Sequence, residues 1–261
     1  MQFIRLISDK PNHAFFNMAL DEAISEAVRK KISPPTLRLY SWDSPSLSIG
    51  CFQTASDIDI EYCDKKNYPV VRRLTGGRAI LHDAELTYSL SSPLDSSIFR
   101  NSLMENYTII SNALVSALQA NGINAKNSFK RKRSAAHKNA ACFKSVSYGE
   151  ITVNGKKIIG SAQKRFTSGF LQHGSILLDF NAAELGRTLK YNGKEGFNEI
   201  GSIKEHSTEI SLACLKRSLK EAFESDLKVK MVSDTPNKFE LDLAKELELK
   251  KYSTREWNFK R

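Results

Sequence analysis

Apolar residues recur at two different periods along the chain, and the switch between them marks out its elements. In NHAFFNMALDEAISEAVRK, residues Phe16, Leu20, Ile24 and Ala27 fall one helical turn apart, and Ser33-Pro34-Pro35 closes the run. This predicts an amphipathic first helix. The period then shortens. TLRLYSW, SLSIG and YPVVRRL read as short strands, and ELTYSLSS as a further one. A second helical stretch, FRNSLMENYTIISNALVSALQANG, puts Leu103, Tyr107, Ile110, Leu114 and Leu118 on one face, with Gly122 placed to cap it.

The sharpest local signal is EITVNGKKIIG. Two β-branched runs flank Asn154-Gly155, a pair that accepts positive φ at both centres of a two-residue hairpin turn. GFLQHGSILLDF follows as a third strand. Beyond Asp179 the chain turns helical and charged, with Leu212, Leu215, Leu219 and Phe223 in one stripe and Thr235-Pro236 opening a later helix. The predicted class is α+β, with mixed β-sheets flanked by helices. Residues 1–210 are expected to form one domain, and residues 211–261 a C-terminal helical segment packed on it.

Composition narrows the function classes. With 261 residues, 41% of them hydrophobic, the chain can bury a real core. No apolar run is long enough to span a membrane, and MQFIRLISDK lacks the features of an export signal, so a cytoplasmic protein with no membrane partner is expected. Cys51, Cys63, Cys142 and Cys214 form no CxxC pair, and His13, His137 and His206 are scattered. No metal site is expected. The net charge of +10 asks for an anionic partner, and the densest cationic run is FKRKRSAAHK. No helix-turn-helix, zinc finger or basic segment interleaved with aromatics accompanies it, so nucleic acid is not expected.

Candidate chemistry concentrates in VVRRLTGGRAILHDAELTYS. Gly76 and Gly77 allow a sharp turn and a close backbone approach to a ligand. Arg72, Arg73 and Arg78 supply fixed charge for a phosphate or carboxylate, and His82 and Asp83 can orient a polar group. A glycine turn with bracing arginines is the plain alternative. His173, in LQHGS, reads as a core histidine satisfied by backbone. Cys51, Cys63 and Cys214 read as structural, the first on a strand, the second in a polar connection from Glu61 to Tyr68, the third on a helix face.

Five motifs in order, FFNMALDEA, LRLYSWDSPSLSIGCFQ, VVRRLTGGRAILHDAELTYS, NGKKIIGSAQKR and LQHGSILLDF, resemble the lipoyl and biotinyl protein ligase superfamily, in its lipoate-protein ligase A and octanoyltransferase branch. The resemblance implies a catalytic domain with an acyl pocket between the glycine loop and the NGKKIIGSA hairpin. It makes Arg73, Thr75, Gly76, Gly77, His82, Gly160, Ser161 and Ala162 the expected substrate-binding residues. Biotin ligases differ in carrying a Gly-Arg-Gly-Arg loop.

Two chemistries compete within that branch. A ligase uses ATP and Mg to make a lipoyl-adenylate. A transferase needs no cofactor and takes octanoyl from the phosphopantetheine thioester of acyl carrier protein, passing it to a lysine of a lipoyl domain or glycine cleavage H protein. The second route needs a thiolate to exchange one thioester for another. NAACFKSVSYGE supplies Cys142 and resembles the cysteine loop of Gram-positive-type octanoyltransferases. Lys157, selected over Lys156 by strand alternation and by the KxxGSA spacing, is the expected proton acceptor. Single-chain ligases carry a further C-terminal domain that this sequence has no room for, although some place it on a separate chain. The octanoyltransferase reading is therefore preferred. Lys130, Arg131, Lys132 and Arg133 precede the cysteine loop and are expected to dock the acidic carrier.

Overall fold

The computed structural model describes residues 2–128, 150–190 and 197–261 of the chain. Eleven strands are present among them. The first six are β1 (Phe3–Ser8), β2 (Thr36–Tyr40), β3 (Ser46–Ile49), β4 (Val70–Arg72), β5 (Ile80–His82) and β6 (Glu85–Pro93). The others are β7 (Lys126–Ser128), β8 (Glu150–Val153), β9 (Lys156–Arg165), β10 (Gly169–Leu177) and β11 (Lys230–Asp234). Eight form a mixed sheet in the order β11-β1-β2-β6-β10-β9-β8-β7, and three form a small sheet in the order β4-β3-β5. Around them lie α1 (Ala14–Arg29), α2 (Ile60–Lys65), α3 (Leu103–Gln119), α4 (Ala182–Arg187), α5 (Leu212–Leu227), α6 (Lys238–Leu247) and α7 (Arg255–Asn258).

The parallel pairs of the large sheet are β11 with β1 and β1 with β2. A parallel pair needs a crossover, and α1 supplies it between β1 and β2. From β2 onward every neighbour is antiparallel. The β8–β9 turn is the expected hairpin, with Asn154 at φ 49° and Gly155 at φ 81°.

Period-two alternation sends Leu86, Tyr88 and Leu90 of β6 to one face of the sheet, where they join Leu37, Leu39, Phe170 and Ile176. Two amphipathic helices cover that face: α3 through Ile110, Leu114 and Leu118, and α5 through Leu215, Leu219 and Phe223. The opposite face receives α1, whose Met18, Ala19, Ala23 and Ile24 pack with Tyr40 and Trp42, and behind α1 lie Ala244 and Tyr252. The alternating residues of β6 on that side, Glu85, Thr87, Ser89 and Ser91, are polar and nevertheless buried.

Several expectations are corrected. Leu103 begins α3 but is 39% exposed, as is the neighbouring Met104 at 44%, so the buried apolar stripe of the helix starts at Tyr107. The connection from Glu61 to Tyr68 contains α2, with Asp59 accepting from the Tyr62 amide as its cap and Cys63 buried beneath it. Cys51 lies just past the end of β3. The later helix opens at Asn237, whose side chain and Glu240 form a reciprocal capping box, and not at Thr235-Pro236. β1 and β11 were not anticipated. Each is only five or six residues long, and their pairing joins residues far apart in sequence.

Candidate active site

Strand register builds a cavity on the polar face. Tyr40 pairs with Thr87, Thr87 with Ser175 and Ser175 with Gly160, so these four form one row across β2, β6, β10 and β9. Arg38, Ser89, His173 and Ala162 form a parallel row two residues along. Small side chains at Thr87, Ser175, Gly160 and Ala162 leave a narrow slot above the sheet. Trp42, His82, Ile80, Met18 and Arg73 help to wall it.

The polar groups around this slot are bonded to one another. Asp21 on α1 accepts from Arg38 (2.8 Å) and from the Tyr40 hydroxyl (2.9 Å), and Arg38 also reaches Asp9 and the Asn17 side chain (2.8 Å each). His173 places Nδ1 3.3 Å from Asp21 Oδ2 and Nε2 2.6 Å from Thr75 Oγ1. Burial pushes the His173 imidazole below its ordinary value, and Asp21 only partly opposes this. For Asp21 burial acts upward, but the hydrogen bond from His173 and the charge of Arg38 outweigh it and hold the carboxyl low. Nearer the mouth of β6, Glu85 Oε1 accepts from Ser175 (2.8 Å) and faces His82 Nδ1 (2.9 Å). His82 Nε2 meets Ser48 Oγ at 2.7 Å, and its ring stacks on Trp42 at 3.9 Å between centroids. With Asp21, Arg38, Tyr40, His82 and His173 already paired, the slot presents mainly rings and hydrocarbon to a guest.

Three residues before Gly160 on β9 stands Lys157, 1% exposed, its ammonium paired with Glu150 on β8. Its backbone is clasped by the segment around Ile200, through Lys157 N to Glu199 O (2.7 Å) and Gly201 N to Lys157 O (3.0 Å). Lys156 points the other way, with a side chain 44% exposed and bonded to Glu205. Alternation thus separates the two lysines as the sequence implies. A buried lysine needs a counter-charge, and Glu150 provides it. In the sequence Glu150 looks like one more strand residue; its signal is a carboxylate on the partner strand of the Asn-Gly hairpin that carries the lysine.

The arginines before the glycine pair brace the backbone. Arg72 is fully buried and donates to the carbonyls of Gly50, Gln53 and Asn258, tying α7 to β4. Arg73 donates to Gly76 O and Arg78 O (2.8 Å each), which holds the loop shut on itself. Gly77 takes φ 90°, and its carbonyl lies 2.0 Å from where a Cβ on Gly50 would stand, so both glycines are required for the loop to seat.

Of the expected site residues, Arg73, His82, Gly160, Ser161 and Ala162 line the cavity. Thr75, Gly76 and Gly77 sit behind it in the braced loop, and Lys157 lies along β9 from it. His173 is satisfied by side chains and not by backbone, and it lines the cavity, which the pattern LQHGS did not reveal. Cys142 and the run Lys130, Arg131, Lys132 and Arg133 lie outside the described residues. Among the described residues no cluster of metal-ligating side chains occurs, and no helix is long and apolar enough to cross a membrane.

This arrangement has relatives. The family model for the lipoyl protein ligase A/B catalytic domain matches residues 13–224. The octanoyltransferase LipM of Clostridioides difficile (strain 630) is 38% identical, with 98% of each chain covered. That of Kyrpidia tusciae is 38% identical with both chains covered in full. Among solved structures, a lipoate-protein ligase A bound with ATP superposes with a TM-score of 0.83 at 26% identity, over 99% of each chain. A T. acidophilum protein with bound lipoic acid gives 0.81 at 26% over the whole of both chains. With four-fifths of its length matched by the family model and full-length relatives well above 30% identity, the chain belongs to the lipoyl protein ligase A/B catalytic domain family.

Proposed function

We propose that this protein is an octanoyltransferase of lipoate biosynthesis. It moves octanoyl from acyl carrier protein, through a thioester on Cys142, to the target lysine of a lipoyl-bearing protein such as the glycine cleavage H protein. The observation that carries this reading is full-length similarity, at 38% identity, to curated octanoyltransferases. A narrow slot whose polar lining is already paired suits a plain hydrocarbon chain.

In the first half-reaction the Cys142 thiolate attacks the carrier thioester carbonyl. The acyl–sulfur bond to phosphopantetheine breaks, and the departing thiolate takes a proton. In the second, the amine of the target lysine attacks the acyl-cysteine, the carbon–sulfur bond breaks and an amide forms. Lys157 serves both steps, giving a proton to the departing thiol and, once neutral, accepting one from the attacking amine. Glu150 keeps it in place between the two. The protein is read as cytoplasmic, and Lys130–Arg133 as the carrier's docking run.

The decisive experiment incubates the protein with octanoyl carrier protein in the absence of ATP and examines it by mass spectrometry. An octanoyl adduct that disappears in Cys142→Ser, together with transfer, is the expected result. A full-activity serine variant overturns it. A second reading, an ATP-dependent lipoate ligase, is favoured by the likeness to a ligase solved with ATP. Absolute dependence of transfer on ATP would select it.

A further inference from the structure

The hydrogen bonds from α1 to the glycine loop form one continuous chain. Arg38 and Tyr40 fix the Asp21 carboxylate from below, at 2.8 and 2.9 Å. Asp21, an acceptor only, faces His173 Nδ1, so that nitrogen carries the ring proton and Nε2 is left as an acceptor. The Thr75 hydroxyl donates to Nε2 at 2.6 Å. Asp21, His173 and Thr75 are all buried, and Thr75 is wholly so. Thr75 is also the last residue before the Gly76–Gly77 turn, and its carbonyl accepts from the Cys51 amide (2.8 Å), beside the Gly50 that seats Gly77.

We infer that His173 is a positioning residue: through Thr75 it fixes the Gly76–Gly77 loop, and with it Arg73 and Ser48, as the wall of the acyl pocket. Arg73 spans the two parts, since it lines the cavity while donating to the loop carbonyls at Gly76 and Arg78. Ser48, another lining residue, accepts from the same guanidinium (3.1 Å). Release of Thr75 would free the turn at its one side-chain anchor from the large sheet among these bonds. The acyl chain would then meet a wall that must be ordered on binding. The penalty falls on binding and not on the bond-making step, which belongs to the Lys157 end of β9. The role of this wall in catalysis rests on the functional reading above; the anchoring of the loop does not.

The test compares Thr75→Val, which keeps shape and loses the donor, with Thr75→Ser, which keeps the donor. Kinetics with octanoyl-pantetheine should show KM raised about tenfold in T75V, the factor one lost hydrogen bond implies, with kcat changed less than about twofold. T75S should restore the low KM. Limited trypsin digestion, read by mass spectrometry of the peptide beginning at Ala79, should cut after Arg78 about tenfold faster in T75V than in the wild type or T75S, by the same free-energy difference. Should T75V not fold, His173→Leu and His173→Gln make the same contrast, because glutamine can offer an amide oxygen near the Nε2 position. Unchanged KM and unchanged cleavage in a T75V protein that melts normally would overturn the inference. A wild type that never uses the octanoyl donor defeats the functional reading alone, and the digestion arm still decides whether His173 anchors the loop.

Discussion

The two faces of the large sheet are buried to similar depth and built from opposite chemistry. On the α3–α5 face, β6 contributes Leu86, Tyr88 and Leu90, and the layer is almost purely apolar. One residue along, the same strand gives the other face Glu85, Thr87, Ser89 and Ser91, and α1 closes over them with Asp21, Asn17 and Ser25. The first face is held by area removed from water, about 25 cal/mol per Å², and tolerates reshaping. The second is held by directed bonds between groups that are costly when unpaired. The slot lies on the second, because small polar residues there leave room that leucines would fill. The lesson is a division of labour within one sheet: one face makes the fold and the other makes the site.

The largest effect expected from this division is on chemistry. Lys157→Ala should lower octanoyl transfer by roughly a hundredfold to ten-thousandfold, while the neighbouring Lys156→Ala changes it little. Steady-state rates at saturating carrier protein check this, and equal losses from both would remove the distinction between buried and exposed lysine. Next comes a stability contrast. Arg38→Met leaves the Asp21 and Asp9 carboxylates without their partner on the site face, and should cost about 3–5 kcal/mol in urea unfolding. Leu114→Ala, on the α3 face, should cost about 2–5 kcal/mol by leaving a cavity. The two should differ in character: the leucine variant keeps its transfer rate, whereas the arginine variant loses affinity for the octanoyl donor as well as stability.

The pH dependence of stability separates the faces more finely. In the folded state Asp21 and His173 both hold their protons less tightly than in the unfolded chain. A group with a depressed folded value contributes stability that is complete above its unfolded value and is lost as pH falls through the folded one. His173 therefore withdraws its share as pH drops below about 6.5, and Asp21 withdraws its share below about 3.9. The slope from one such group approaches about 1.4 kcal/mol per pH unit at most. Urea titrations between pH 7 and pH 5 should show His173→Gln with a shallower fall than the wild type and Leu114→Ala with a parallel one. A parallel fall in both would mean that His173 does not report the site face.

Much of the apolar face was legible in advance. Tyr107, Ile110, Leu114 and Leu118 recur at helical spacing and are buried together, and the Asn154-Gly155 hairpin took the backbone its residues favour. The cavity-lining Arg73, His82, Gly160, Ser161 and Ala162 were reached through family motifs and not through periodicity. His173, Asp21 and Glu150 were missed as members of the site. Each has the spacing of an ordinary strand or helix residue, and its partner lies on another element: Asp21 on α1 meets His173 on β10, 152 positions later. Pairing at that separation leaves no periodic trace. Cys51 and the Glu61–Tyr68 stretch were misjudged for a smaller reason, since short elements leave too few residues to establish a period.

What the sequence by itself determined is therefore local. Helical and strand periods, the positive-φ turn at Asn154-Gly155 and the opposite faces of Lys156 and Lys157 all follow from backbone geometry within a few residues. Only the tertiary structure decided that the polar side of ELTYSLSS would be covered and not solvated. Alternation says that Glu85, Thr87 and Ser89 share a face, but whether that face meets water depends on whether another element arrives with partners for it. Here α1 brings Asp21 against Arg38 and His173, and the small sheet brings His82, itself bonded to Ser48, against Glu85. Those bonds make burial of the polar face affordable, and the space left between them is the pocket.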